Sequence, residues 1–511
     1  MEKQKLFQTV WKIANDFRGK TGGNLLQLKD YLFAFIFYKQ LSHKSQRFYA
    51  SEIGIEYKDD LEFNTKFKNQ NKYTIEELED EQKEMLGFFI KPDFLWYKFI
   101  QKIKHNFEIS YIEEVFNDLS KNSINNKMEG LFEDLNFNSS DLGREQNDKK
   151  SVLQFLILSL ENIDFDLGNI ETDLIGDLFE YLLATFSSES GKAGGQFYTP
   201  QCVASLLAQL ATVDKDPKIT VYDPACGSGG LLLNIVKNFG IDNIDEVYGQ
   251  ELNHKTFNLA RMNMFLRMSK GNKFTLYPGD TLNNSQIPHD KKFTSIVANP
   301  PYGVSYEPEK IKASNSPIFN NILNNLPSKS NGEILFLHHM IHHLSDDGTA
   351  AVVLPTGVNF RGSEKPLRKR YVDLDYIDTI IMLPSNMFYG TNIETFIYVV
   401  KKCKDEEMKN KIRFIDTRLL GKTVDKQKKF SQEDINKIVD TFRNNSKVSE
   451  EDIQSYFLTR DEIVEKDYTL DINSYLRLPR NDIPSLEESI KNNEEIMKKL
   501  NLLFEKIKEN V

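Results

Sequence analysis

Apolar residues recur along this chain with two different periods, and the period changes near residue 166. Leu6, Val10, Ile13 and Phe17 stand at helical spacing. Residues 31–38 form an apolar run rich in aromatics, and residues 136–143 (Asn-Phe-Asn-Ser-Ser-Asp-Leu-Gly) carry a loop composition. Glycines are few up to about residue 165, and the pattern predicts a helical domain over 1–165. From 166 to 415 short apolar runs alternate with helical stretches. Strands are expected at 219–222, 246–250, 274–277, 294–298, 349–354, 377–383 and 395–400, with helices at 231–239 and 332–344. That alternation predicts an α/β domain with a doubly wound sheet. A third region, 416–511, ends in a helix expected over about 484–511. Pro484 and Ser485 with Glu488 make a helix start with a capping box. Leu486, Ile490, Met497, Leu500, Phe504, Ile507 and Val511 then follow heptad a/d spacing, broken at polar Asn493. Such a seam suits docking onto a partner helix, or packing of a terminal helix on its own domain.

The chemistry sits at the ends of consecutive strands. After the first comes a small-residue turn: Asp223, Pro224, Ala225, Cys226, Gly227, Ser228, Gly229 and Gly230. Strand, glycine turn and helix is a nucleotide-binding geometry, because glycines allow close backbone approach and the helix start offers N–H groups. The G-x-G-x-x-G spacing of dinucleotide sites is not met. The next strand ends in Glu251, an acid placed to suit a ribose diol. The third leads to Gly279 and Asp280, where a turn-capping role competes with a ligand role. The fourth ends in Asn299, Pro300, Pro301 and Tyr302. Prolines fix the backbone and lack an N–H, so the Pro300 carbonyl and the Asn299 amide oxygen form a rigid pair of acceptors beside an aromatic ring. Such a pair fits a flat group with an exocyclic amine, such as adenine or cytosine; a proline-rich turn closing a strand fits the tetrapeptide equally well. Phe388 is a candidate second ring, or a core aromatic.

Composition narrows the setting. The chain has 511 residues, enough for two or three domains. Three cysteines, Cys202, Cys226 and Cys403, are too sparse and too far apart for a disulfide framework or a zinc site. No secretory h-region follows the start, and the apolar run 31–38 is too short to span a bilayer. With 65 Lys and Arg against 75 Asp and Glu, the net charge is −10. A protein that gripped DNA unaided would be basic, so any duplex binding is expected to depend largely on a partner.

The ordered set of Asp223 to Gly230, Glu251, Asp280 and Asn299 to Tyr302 resembles an S-adenosylmethionine-dependent amino-methyltransferase of DNA. Upstream, Gly191, Lys192, Ala193, Gly194, Gly195, Gln196, Phe197, Tyr198, Thr199 and Pro200, preceded by residues 175–183, resemble the modification subunit of a Type I restriction–modification system. Residues 11–18 and 31–39 are similar to its helical leader. The resemblance implies a Rossmann-like methyltransferase domain with an N-terminal helical domain and a C-terminal helical tail, and transfer of methyl to adenine N6 after base flipping. Asn299, Pro300, Pro301 and Tyr302 become the catalytic set, with Tyr302 and Phe388 as stacking rings. Cofactor contacts fall to Gly195, Gln196, Phe197, Tyr198, Thr199, Pro200, Asp223, Ala225, Gly227, Ser228, Gly229, Gly230, Glu251 and Asp280. The implied partners are double-stranded DNA, a specificity subunit with two copies of this chain, and a restriction (helicase–nuclease) subunit, in the cytoplasm of a bacterium or archaeon, with no membrane. Cytosine N4 or protein glutamine as acceptor, or a non-catalytic scaffold, are the rival readings.

Two further clusters invite other roles. His338, His339, His342 and His343 have i, i+4 ligand spacing but lack the Glu of a metalloprotease helix; a structural helix is expected, with no metal. Arg361, Lys365, Arg368, Lys369 and Arg370 form either a phosphate-contacting patch or a solvated face.

Overall fold

The computed structural model describes residues 2–22, 25–52, 54, 75–105, 107–163, 174–190, 199–268, 273–314, 316–388, 393–424, 427–444, 448–450, 452–475 and 497. The segments 191–198 and, Met497 apart, 476–511 lie outside them, so the expected tail helix and the contacts of Gly195, Gln196, Phe197 and Tyr198 do too.

The N-terminal region is helical, as its period requires: α1 (Glu2–Thr21), α2 (Leu25–Glu52), α3 (Ile75–Leu86), α4 (Trp96–Lys104), α5 (Ile109–Lys121) and α6 (Gln146–Glu161). The run 31–38 is the middle of α2. Phe33, Ala34, Phe35, Ile36, Phe37 and Tyr38 are all fully buried, because a helix apolar on every side must be surrounded. Buried Lys39 follows, and its ammonium donates to the carbonyls of Leu160 at 2.8 Å and Ile163 at 2.6 Å. A cation thus satisfies the carbonyls at the end of α6, where the helix dipole favours it.

The second region continues through α7 (Leu174–Ser190), α8 (Gln201–Thr212), β1 (Ile219–Asp223), α9 (Gly230–Phe239), β2 (Ile244–Glu251), α10 (His254–Met268), β3 (Phe274–Pro278), β4 (Phe293–Ala298), α11 (Pro308–Ser314), α12 (Glu333–His343), β5 (Leu344–Pro355), α13 (Lys365–Asp373), β6 (Ile377–Met382), β7 (Thr395–Lys401) and β8 (Lys411–Asp416). A short hairpin, β9 (Lys422–Val424) and β10 (Gln427–Lys429), precedes α14 (Gln432–Arg443), β11 (Gln454–Thr459) and α15 (Arg460–Glu465).

One nine-stranded sheet has the order β11-β8-β6-β7-β5-β4-β1-β2-β3. β7 runs antiparallel to both neighbours, and β11 runs antiparallel to β8. The sheet therefore runs on past 415, where the sequence pattern ends the α/β region. Residues 454–459 pair with β8 in full register, and their mixed composition hides this edge strand from a hydrophobicity pattern.

Side chains alternate across the sheet. Val221, Val297, Ala351 and Val353 face a core shared with the N-terminal helices, and Tyr222, Ile296, Ala350 and Val352 face a second core with α12 and α13. The helical domain and one sheet face are thus a single packed body. Its seam also holds charge: Asp177 of α7 pairs with Lys3, with Lys237 at 3.4 Å and with Arg267 at 3.3 Å. Burial alone would raise the Asp177 carboxyl, but these cations hold it below its ordinary range.

β1 lies between β2 and β4, so the chain leaves β1 for one side of the sheet and reaches the other only at β4. Such a switch point opens a crevice at the carboxyl ends of the strands. Pairing of Tyr222 with Ile296 and of Asp223 with Gly249 sets the β1, β2 and β4 tips side by side.

Candidate active site

Asp223 ends β1 and is fully buried. Its Oδ1 accepts the Ala225 N–H at 2.9 Å, while Oδ2 has no hydrogen-bond partner among the described residues. Burial pushes its carboxyl up to about 8, the Ala225 N–H opposes this, and the nearby Glu251 charge adds to it. The turn that follows needs its glycines at two places: Gly227 has φ 55° and Gly229 has φ 83°, where a side chain is strained. α9 then starts at Gly230 with no side-chain cap.

Glu251 closes this turn from β2. Its Oε2 accepts the Gly227 N–H at 3.0 Å and its Oε1 accepts the Asn253 N–H at 2.8 Å. Burial raises this carboxyl too. Leu252, next in the chain, is 68% exposed beside it, an apolar lip unusual for so large a side chain. Asp280 stands one strand further out and caps its own turn: Oδ1 accepts the N–H groups of Leu282 at 2.9 Å and Asn283 at 3.1 Å, and Oδ2 accepts from the Asn283 amide at 2.7 Å. The capping role is therefore real.

Several supports of this crevice escape the motif reading. A Cβ on Gly249 would sit 2.8 Å from Leu276 Cδ2 and 3.0 Å from Cys226 Sγ, so any side chain there would push on Leu276 and on the turn. A glycine inside an apolar strand was the available signal. Asn263 of α10 donates to the Ser228 carbonyl at 2.8 Å, and Thr281 donates to the Pro224 carbonyl at 2.5 Å. Neither has a local sequence signature.

At the β4 tip, Asn299 is 9% exposed. Its Nδ2 donates to Thr199 Oγ1 at 2.8 Å, and its Oδ1 accepts the Tyr302 hydroxyl at 3.0 Å. Thr199 and buried Pro200 lead into α8, so the end of the upstream motif does meet the β4 tip. Pro300 is buried and Pro301 exposed. The Tyr302 ring is half-buried, its phenol pushed far above the ordinary range by desolvation. It packs edge-on against Phe388, with centroids 6.1 Å apart and planes at 77°. Phe388 is only 4% exposed, so in this state it backs Tyr302 rather than offering an open face.

The histidines are structural. His338 bonds the Tyr371 hydroxyl and the Ile318 carbonyl, both at 3.0 Å; His339 bonds the Tyr222 hydroxyl at 2.9 Å; His342 and His343 reach the carbonyls of His289 and Lys291. Burial lowers all four, His338 and His343 to about 4, which keeps them neutral. Among the described residues no group of three or more His, Cys, Asp or Glu is placed to hold a metal. The basic cluster divides: Arg368 and Arg361 are tied to buried partners, while Lys365 and Lys369 form pairs at the surface. Arg368 is buried and donates to the carbonyls of Val358 at 2.9 Å and Arg361 at 2.7 Å; Arg361 pairs with Glu364, Lys365 with Asp467, and Lys369 with Asp373. Among the described residues no helix is long and apolar enough to cross a membrane.

Asp223 Oδ2 is buried at the foot of a glycine turn with no hydrogen-bond partner among the described residues. An acid, Glu251, stands one strand away, and the next strand on the other side carries the neutral Asn299 amide followed by two prolines. On a sheet whose β7 is reversed between β5 and β6, this places the molecule among the S-adenosylmethionine-dependent methyltransferases. More narrowly, the N-6 DNA methylase model matches residues 170–482, and the N-terminal domain model of the same modification subunits (HsdM) matches 6–160. The chain belongs to the N-6 DNA methylase family. It is 32% identical, over all of its length and 97% of the relative, to the Type I restriction enzyme MpnII methylase subunit of Mycoplasma pneumoniae. It is 28% identical to the MjaIX methylase subunit of Methanocaldococcus jannaschii, over 68% of this chain and 63% of that one. The crystal structure of a Type I restriction–modification methyltransferase subunit from Streptococcus thermophilus superposes with a TM-score of 0.85 at 30% identity, covering 93% of this chain and all of that one.

Proposed function

We propose that this chain is the modification subunit of a Type I restriction–modification complex and transfers methyl to adenine N6 in double-stranded DNA. The observation that carries the reading is the junction of the β1 and β4 tips: Asp223 Oδ2, without a partner among the described residues, lies on one side and the Asn299 amide on the other. The residues fit S-adenosylmethionine, which when bound supplies an electrophilic methyl. Asp223 would hold its ammonium, Ala225, Gly227, Ser228, Gly229 and Gly230 its methionine end, and Glu251 its ribose hydroxyls. Asp280 and Leu252 would lie near the adenine ring. Gly195, Gln196, Phe197, Tyr198, Thr199 and Pro200 would close over the methionine end.

Adenine N6 is a poor nucleophile because its lone pair is delocalised into the ring. Asn299 Oδ1 has a second lone pair beyond the one used by Tyr302. With the Pro300 carbonyl it would accept the two N–H bonds and favour a tetrahedral nitrogen whose lone pair is freed for attack. Fixed dipoles also stabilise the positive charge that develops there, with no reorganisation at the moment of transfer. The target base must leave the duplex to enter, with Tyr302 stacking on it and Phe388 behind. A net charge of −10 supports leaving duplex grip and sequence choice to a specificity subunit. We place two copies of this chain on that subunit, together with a restriction subunit, in the cytoplasm where the DNA lies.

The test is transfer of labelled methyl to duplex DNA by the chain alone and with its specificity subunit, with the product nucleosides separated. N6-methyladenine formed with the partner supports the reading. Label in N4-methylcytosine or in protein would overturn the acceptor.

A further inference from the structure

Beyond the acceptor set lies a buried acid whose contacts point back to it. Glu333 opens α12 and is 1% exposed. Its Oε1 accepts the N–H of Gly303, the residue after Tyr302, at 2.7 Å. Gly303 has φ 65°, a backbone state that glycine holds without strain. One residue on, the Val304 carbonyl accepts the Gly332 N–H at 3.0 Å. A Cβ on Gly332 would stand 2.8 Å from Val304 Cγ1 and 3.0 Å from that carbonyl oxygen, so the two segments touch backbone to backbone. Residues 303 and 304 are thereby tied at two points to the start of α12.

The acid is itself held. Arg361 Nη2 lies 3.9 Å from Glu333 Oε1 and 2.6 Å from Oε1 of Glu364, which is fully buried. Arg361 Nε donates to Glu364 at 2.7 Å, and Ser363 Oγ donates to its other oxygen at 2.6 Å. The guanidinium thus pairs with Glu364 and stands near Glu333 without a hydrogen bond to it. Replacing such groups by apolar ones is often neutral or stabilising, so an ionic arrangement is weak evidence for stability, and the contacts it makes are what bear on its role. What it orients here is the backbone leaving the Asn-Pro-Pro-Tyr turn.

We propose that Glu333 is a positioning residue for methyl transfer. By anchoring the Gly303 N–H it fixes the exit of the turn, and with it the direction of the Pro300 carbonyl and the seating of the Asn299 amide. This rests on the reading of Asn299 and Pro300 as the acceptors of the target amine. Glu333 touches neither the amine nor the methyl donor in this scheme; it acts through the backbone.

The experiment uses the complex with the specificity subunit. Single-turnover transfer, the KM for DNA and the affinity for S-adenosylmethionine are measured for E333A, E333Q and N299A. Misplacement of a reacting group by about 1 Å can lower a rate about 10²-fold, and a loss of about that size in the transfer rate is expected for E333A, with cofactor affinity and DNA KM held. E333Q keeps an acceptor oxygen for Gly303 and should recover most of the rate. Parent-level transfer by E333A, an E333Q as slow as E333A, or a cofactor affinity that falls in step with the rate would each overturn the proposal. Should E333A fail to fold, E333D carries the test: it keeps the charge, retracts it from Gly303 and should lose rate in the same sense, while parent-level transfer would again overturn the role. Transfer surviving in N299A would instead overturn the acceptor reading itself; transfer lost in N299A but kept in E333A would sink only the role of Glu333.

Discussion

The tips of β1 and β2 and the tip of β4 face one crevice but are built from different chemistry. On the β1 side stand a buried carboxyl, Asp223, and a partly buried one, Glu251, both raised by desolvation and both bonded to the glycine turn. On the β4 side the polar groups are an amide, a phenol and a hydroxyl, joined in the chain Tyr302 to Asn299 to Thr199. Under the proposed function the contrast follows from what each half would hold. A ligand that arrives cationic would be met by an acid that gives up its proton on pairing with it, since an opposite charge favours the ionised form that burial disfavours. A neutral amine that becomes cationic only during transfer is met by fixed dipoles, which favour the developing charge without trapping the ground state. Binding and rate should therefore be separable by mutation.

The largest effect is expected on the β4 side. Asn299→Ala removes one of two acceptors and should slow single-turnover transfer by about 10²–10³-fold, the scale seen when one preorganised dipole is lost. Cofactor affinity, read by calorimetry, should not change. On the β1 side, Asp223→Asn should weaken cofactor binding about 10–100-fold, since a charged hydrogen bond is worth about 1.5–3 kcal/mol, and the rate at saturating cofactor should fall far less.

The raised Asp223 carboxyl, at about 8, gives this half a pH signature. Below that value the unliganded protein keeps the proton, and a cationic ligand must displace it. Affinity should thus rise with pH, by at most about tenfold per unit, and level off above about 8; Asp223→Asn should flatten this component of the profile. The sign for folding is the reverse. Burial favours the neutral acid, so its contribution to stability is present below the ordinary carboxylate value and lost as pH rises through about 8. A thermal melt of the ligand-free protein should accordingly show Asp223→Asn gaining on the parent at the alkaline end. The smallest effect is steric. Gly249→Ala brings a methyl against Leu276 and Cys226, and overpacking of this kind costs about 1–3 kcal/mol. It should lower Tm and loosen cofactor binding while sparing the intrinsic transfer rate.

Much of this crevice was legible because its parts sit at strand ends in chain order. Asp223, the glycine turn, Glu251 and Asn299 with its prolines each break a regular pattern where a tip is expected. The fold was legible for the same reason: period 3.6 before residue 166, then alternation. What stayed hidden lies in long-range pairing. Gly249 signals close approach as a glycine within a strand, but what approaches it, the turn at Cys226, shows only in the fold. Glu333 reads as one more acid before an apolar helix until Gly303 is brought to it. Strand β11 pairs through its backbone, which leaves little trace in side-chain pattern. The histidines have ligand spacing, but the structural helix expected of them is what the fold shows: each has a partner in a carbonyl or a hydroxyl. Arg368 looks like a surface cation and is instead the internal tie of its loop.

The most direct test is a crossed measurement on the complex with the specificity subunit: single-turnover transfer into N6-methyladenine and cofactor affinity, both determined for Asn299→Ala and for Asp223→Asn. Separable binding and rate predict that Asn299→Ala binds cofactor as the parent does and transfers at least about 10²-fold more slowly, while Asp223→Asn binds weakly and, once saturated, transfers near the parent rate. Loss of cofactor affinity in Asn299→Ala equal to its loss of rate, or parent-level transfer by that variant, would contradict the division between the β1 and β4 halves of the site.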